Sequence, residues 1–274
     1  MASPVEDAQS AYLARIAAVA AQARKPVVFS HVSAAVLWGA RTWRVPGLVH
    51  VTQPSAASAR RSRDVARHRT VLGQADTTVR AGVTVTTLDR TLADCAMSLR
   101  PLAALVVADS LVRRGADLEA ATEIVRTRSG ANGSRLARWV LDHADGGAES
   151  PGESATRYVL LAHGFPAPEL QVPVVARGRV FRADLGWRER CLLVEFDGLV
   201  KYRQLAGGNP SEVVIAEKRR QEAIEETGMV VVRVVHPELF PAEAFVARVA
   251  RHVPPTARTT FRPVRELLLP TSWS

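Results

Sequence analysis

Residues 181–198 read FRADLGWRERCLLVEFDG, and the way this stretch folds decides the second half of the chain. FRADLGW and CLLVEFDG mix apolar and polar residues in runs of strand length, and the charged RER at 188–190 is short enough to join them as a hairpin. Side chains alternate between the two faces of a strand, so Glu195 and Asp197 share one face and Val194 and Phe196 the other. Asp184 falls toward the end of its own strand, within a residue or two of the position opposite Glu195. Three carboxylates at one end of a hairpin repel each other, and an unpaired buried carboxylate costs several kcal/mol or shifts its pKa until it is neutral. The pattern therefore calls for a cation, either a metal ion or arginines in a structural salt-bridge cluster, with Arg182 a candidate partner for Asp184.

Outward from the hairpin, the order of elements is regular. PGESATRYVLLAHG reads as a helix, with Ser150, Pro151 and Glu153 forming a helix-start signature. Glu153 has two readings, a cap and an acidic site residue. ELQVPVVA is a strand, a Gly-Gly-Asn-Pro loop leads into the charged helix SEVVIAEKRRQEAIEETG, and MVVVRVV and PELFPAEAFVARVARHV add a strand and a helix. The order α-β-β-β-α-β-α defines one mixed α/β domain.

The front half is a second unit. Residues 8–24 have a helical pattern, and SHVSAAVLWGA is a short helix from Ser30 to Gly39. LVHVTQ (48–53), DVARHRT (64–70) and GVTVTT (82–87) read as strands, and Thr86 with Asp89 as a capping box before TTLDRTLADCAMSL. Helices follow to about residue 143: PLAALVVADSLVRRG closed by Gly115, DLEAATEIVRTR opened by Asp117, and NGSRLARWVLDHA. DGGAES (145–150) is the linker candidate. The expected fold class is α/β: a small α/β unit with a helical extension over 1–144, a mixed-sheet domain over 145–252, and an irregular tail over 253–274.

Composition narrows the function classes. The chain has 274 residues, of which 47% are hydrophobic, so it can bury a core and a mainly disordered state is excluded. No stretch reaches the roughly 18 apolar residues of a membrane span. Cys95 and Cys191 are far apart in apolar runs, which predicts buried, reduced cysteines of a cytoplasmic protein. A net charge of +9 favours a polyanionic partner. Only Lys25, Lys201 and Lys218 are lysines; every other basic residue is arginine. ARRSRDVARHR (59–69) makes Arg60, Arg61 and Arg63 candidates for phosphate contact, with an exposed charged hairpin as the alternative. On EKRRQEAIEE, Arg219 and Arg220 are further DNA-contact candidates. The plainer reading is a solvated helix face with Lys218 and Glu222 as an i,i+4 pair. His31, beside Ser30 and Ser33, reads as a local capping or packing group.

Oxygen ligands without a nearby Cys or His cluster point to Mg²⁺, with Mn²⁺ the alternative, on Asp184, Glu195 and Asp197. Such an ion polarises a phosphate and lowers the pKa of an attacking water, and a lysine steadies the developing charge, which is the chemistry of phosphodiester hydrolysis.

SPGES, PELQV, FRADLGW, VEFDGLVKY and EKRRQEAIEETGMVVVRV, in this order over residues 148 to 240, resemble a family of bacterial proteins related to the very-short-patch-repair endonucleases. That family belongs to the PD-(D/E)XK nuclease-like superfamily. The resemblance implies a restriction-endonuclease-like domain and a Mg²⁺-dependent DNA endonuclease. Asp184 then matches the first metal-binding aspartate, Glu195 and Asp197 the acidic pair, and Glu153 the acidic residue of the preceding helix. The superfamily signature ends in lysine where this chain has Asp197, so Lys201 or Lys218 is the candidate for the missing charge. The alternative is a DNA-binding regulator or antitoxin-type protein whose nuclease-like domain does not cleave. SHVSAAVLWGA, LVHVT and VTTLDRTLADCAMS resemble the C-terminal part of the type IV abortive-infection antitoxin family, found before this nuclease-like domain in actinobacterial proteins. That likeness implies a toxin partner. The residues before Ser30 are too few for the winged helix with which such proteins usually begin, so it is expected to be absent or to lie upstream of a missed start.

Overall fold

A computed structural model describes residues 4–23, 27–54, 63–128, 133–198 and 210–268, with side chains from residue 8 onward and, in the last segment, from residue 215. The chain divides into two compact units, Met1–Gly146 and Gly147–Ser274. It is a mixed α/β protein with one mixed sheet in each unit. No helix among the described residues is long and apolar enough to cross a membrane.

Unit 1 opens with α1 (Pro4–Gln22), β1 (Val28–Phe29), α2 (His31–Leu37), β2 (Val49–Gln53), β3 (Val65–Arg69), β4 (Thr77–Arg80) and β5 (Val83–Thr86). The sheet order is β3-β2-β1-β5-β4, with β2 and β3 parallel and β1 antiparallel to β2. Its core joins Tyr12 and Ile16 of α1 to Phe29, Ala34, Val36, Val49, Val51 and Val85. The helical extension is α3 (Leu88–Ser98), α4 (Pro101–Val112), α5 (Leu118–Arg126) and α6 (Ser134–His143). Asp117 caps α5 by accepting from the Glu119 and Ala120 amides, as its position predicts. The expected capping box at Thr86 and Asp89 does not form. Thr86 is the last residue of β5 and its hydroxyl bonds Thr91, while Asp89 accepts from the Asp117 amide at 2.7 Å. β1 and β4 escape the sequence pattern: β1 is two residues long, and three of the four β4 positions are exposed, so neither shows alternation.

Unit 2 runs α7 (Pro151–Ala162), β6 (Glu169–Ala176), β7 (Arg179–Trp187), β8 (Leu192–Asp197), α8 (Pro210–Glu225), β9 (Val230–Val235) and α9 (Glu243–Arg251), the order read from the sequence. A short helix, α10 (Pro255–Arg258), follows within the segment expected to be irregular. The sheet order is β6-β7-β8-β9; β6, β7 and β8 form an antiparallel meander, and β9 lies parallel to β8. Two helices cover the two faces of β8. Ile224 of α8 packs with Leu193, Val172, Val174 and Ala183. On the α7 side, Phe196 lies so close to Gly152 that a Cβ there would be 2.0 Å from the Phe196 ring. Gly152→Val is therefore expected to destabilise the protein by about 2 kcal/mol through overpacking, measured as a lower urea midpoint at unchanged slope.

The turn between β7 and β8 is a single 3₁₀ turn at Arg188–Arg190, closed by Cys191 in the left-handed region at φ 49°. Cys95 is buried as expected, but Cys191 is exposed, because it ends the turn and precedes the buried part of β8.

Candidate functional site

The β7–β8 ladder pairs Leu185 with Val194, Gly186 with Leu193 and Trp187 with Leu192. One step further along the same register, Asp184 comes opposite Glu195. There the regular pairing stops, and an Asp184 carboxylate oxygen accepts the Phe196 amide at 2.8 Å in place of a strand carbonyl. Asp184 thus extends the ladder with its side chain. The Arg182 partnership open to it from sequence is not the contact that places it: the Arg182 carbonyl instead accepts from Arg220 at 3.0 Å.

Glu195 is buried, with 6% of its surface exposed. The cation its burial demands is an arginine. Arg220 of α8 presents both terminal nitrogens to it, Nη1 to Oε2 at 3.1 Å and Nη2 to Oε1. This is the planar two-point fork that a guanidinium makes and an ammonium cannot. The Glu195 carboxylate holds the Arg220 guanidinium above its ordinary pKa. Arg233 of β9 adds a second positive charge, with Nε 3.7 Å from Glu195 Oε2, Nη1 3.9 Å from Asp197 Oδ2, and Nη2 on Glu217. Parallel pairing of β8 with β9 puts Glu195 directly beside Arg233. Arg220 lies on what reads as a solvated helix face; the structure turns it inward onto the sheet, one turn beyond Glu217, which it also contacts at 3.2 Å.

Glu153 is buried in the first turn of α7. Its amide donates to Ser150 Oγ at 3.2 Å, and its Oε2 accepts from the Glu149 amide at 2.7 Å and from Gln171 Nε2 at 3.2 Å. Burial pushes its carboxyl upward, against the pull of these hydrogen bonds. Glu153 therefore ties the helix start to β6. Lys218 is exposed and pairs with Glu222 at 4.0 Å. Arg63 and Arg219 are exposed, and Lys201, Arg60 and Arg61 lie outside the described residues.

These placements bear on Mg²⁺. A divalent ion needs several carboxylate or carbonyl oxygens turned to one point. Here both Glu195 oxygens hold Arg220, Asp184 holds a backbone amide, and among the described residues no three His, Cys, Asp or Glu side chains are grouped so as to hold a metal ion. The acidic trio, so arranged, is held by two arginines and a backbone amide.

Unit 1 holds a polar cluster that the sequence reading passed over. His31, His50 and His68 meet at the end of α2 and on β2 and β3. The His31 and His68 rings stack with centroids 3.4 Å apart, and His50 Nδ1 lies 2.9 Å from His68 Nε2. Ser30 Oγ is 2.9 Å from His31 Nδ1 and accepts from the Thr52 hydroxyl at 2.7 Å. Burial, then the neighbouring imidazoles, lower His31 to about 2 and His50 to about 4. Burial lowers His68 as well, and Asp94 opposes the shift. Asp94, 2% exposed, receives Arg90 and Arg128 on one oxygen, both at 3.0 Å. His31 does take the local partner expected of it. The signal for the rest is that parallel pairing sets His50 beside Ala66 and Thr52 beside His68, a register legible only once the strand order is known.

The fold and site define a two-unit α/β protein whose acidic hairpin is neutralised by arginine. No family model matches the chain, and no solved structure matches it. It is similar to two uncharacterised proteins from two strains of Mycobacterium tuberculosis, each 32% identical over 167 residues, which is 60% of this chain and 59% of theirs. The chain thus spans less than two thirds of the length of the curated relatives it matches.

Proposed function

We propose that the protein binds DNA through phosphate contacts and that its nuclease-like unit does not cleave it, as in a regulator or antitoxin-type protein. The Arg220 fork on Glu195 carries this reading. A binding surface has no use for concentrated negative charge against a polyanion, and Arg220 and Arg233 remove that charge from the hairpin while leaving the chain at +9. Long-range attraction of a polyanion then survives. The front-half resemblance adds a toxin as a proposed protein partner.

A second reading, Mg²⁺-dependent endonuclease, is favoured by the register that sets Asp184 across from Glu195, beside Asp197 on the same strand. The two readings part in one experiment. In the first, duplex DNA binds with an affinity that falls steeply with salt, supercoiled plasmid stays intact in Mg²⁺ or Mn²⁺, and neither ion raises the melting temperature. Nicking that disappears in Asp184→Asn would establish the endonuclease instead.

A further inference from the structure

Two exposed arginines of unit 1, Arg80 and Arg114, sit at the C-terminal ends of α2 and α4. Arg80, the last residue of β4, donates from Nε to the Leu37 carbonyl at 3.0 Å, and its guanidinium lies over the Trp38 ring, 4.6 Å from the centroid. Arg114 follows α4 and donates from Nη1 to the Ser110 carbonyl at 2.8 Å and to Ser110 Oγ at 2.9 Å. Ser110 Oγ also accepts the Arg41 amide at 2.9 Å, and the Arg114 side chain passes 3.4 Å from where a Cβ on Gly39 would sit. Arg113, the residue before Arg114, donates from Nη1 to the Gly146 carbonyl at 3.4 Å. Arg80 and Arg114 donate to neutral carbonyl and hydroxyl oxygens.

Each helix end carries roughly half a negative charge. Two such ends offset about one of the two full charges on Arg80 and Arg114. Burial, and after it Arg41, Arg113 and Arg80, depress the Arg114 guanidinium, so the charges felt there are of its own sign. The Trp38 ring and the Ser110 oxygens hold Arg80 and Arg114 in place without cancelling their charge. A surface so arranged is completed by an anion.

We infer that Arg80 and Arg114 form a phosphate-binding patch whose ligand is the phosphodiester backbone of DNA. The inference rests on the DNA-binding reading above and assigns it to residues outside the nuclease-like unit. Guanidinium groups on neutral anchors present their remaining N–H donors to phosphate oxygens, as backbone-positioning contacts do.

The test is fluorescence anisotropy with a labelled duplex at several salt concentrations. Arg80→Gln/Arg114→Gln is expected to weaken binding at least about tenfold and to flatten the slope of log affinity against log salt by about 1.8, since each lost phosphate contact removes about 0.9. Arg80→Lys/Arg114→Lys keeps the charge and should retain most of the slope. Arg138→Gln/Arg251→Gln removes the same charge from other exposed positions and should leave the slope nearly intact. Arg80→Gln alone, which spares the Ser110 contacts, should flatten the slope by about 0.9, so a folding defect in the double variant does not decide the matter. If the wild type binds and the Arg80/Arg114 variants match it, or the control pair loses as much, the patch is wrong while DNA binding stands. If the wild type binds no DNA, both fall.

Discussion

Arg220→Gln is expected to lower the unfolding free energy by about 3 kcal/mol, the cost of leaving a buried carboxylate without its cation. Glu195 has little water to turn to at 6% exposure, and Arg233 sits beyond hydrogen-bond distance at 3.7 Å. Arg220→Lys should recover only part of the loss, because an ammonium cannot bond both carboxylate oxygens in the geometry of the fork. Glu195→Gln combined with Arg220→Gln should lie well above the sum of the two single losses, since it removes the uncompensated charge along with the pair. Urea unfolding of wild type, Arg220→Gln, Arg220→Lys, Glu195→Gln and the double variant measures this. Equal stability of Arg220→Gln and wild type would show that the pair is not what neutralises Glu195, and would reopen the hairpin to a metal ion.

Acidification should weaken the protein before its carboxylates titrate. His31 and His50 lie at about 2 and about 4 in the folded state, against 6.5 for the unstructured residue, so the unfolded chain takes up protons first. Their contribution to stability is fully present above pH 6.5. It is lost as pH falls from there, down to about 4 for His50 and further for His31. Between pH 6.5 and 5 the two should together cost on the order of 2 kcal/mol, the full linkage of about 3 kcal/mol reduced for their partial exposure. His50→Gln should reduce the slope of stability against pH in that interval by up to about 1.4 kcal/mol per pH unit, one proton's worth. Thermal melts at half-unit steps from pH 7 to 5 read it out. A flat profile would mean that the imidazoles are accessible and not held neutral by packing.

The acidic hairpin shows where sequence reasoning holds and where it stops. Alternation along LLVEFD puts Glu195 and Phe196 on opposite faces, and the structure does the same, with Arg220 on one side and Gly152 on the other. Period-2 geometry is local and so is visible in one strand. The demand for a cation was legible too, because a carboxylate in an apolar run is costly in any fold. Which cation meets it was not. Arg220 is 25 residues from Glu195 and Arg233 is on a strand whose pairing is parallel, so neither adjacency follows from local pattern.

Unit 1 divides in the same way. Caps that depend on neighbours in sequence, such as Asp117 for α5, can be read directly. The Thr86 box fails because β5 claims Thr86 first, a tertiary decision. The three histidines are spread over 37 positions of sequence and look like isolated packing groups until β2 and β3 pair in parallel. Arg80 and Arg114 are separated along the chain by β5, α3 and α4, and only the ends of α2 and α4 bring them together. By itself the sequence determined the α/β class, the order of elements in unit 2, the faces of β8 and the presence of a charge needing a partner, since all of these follow from periodicity and local chemistry. Tertiary structure alone decided which groups are partners, because like and opposite charges distant along the chain become neighbours only through strand order and helix packing.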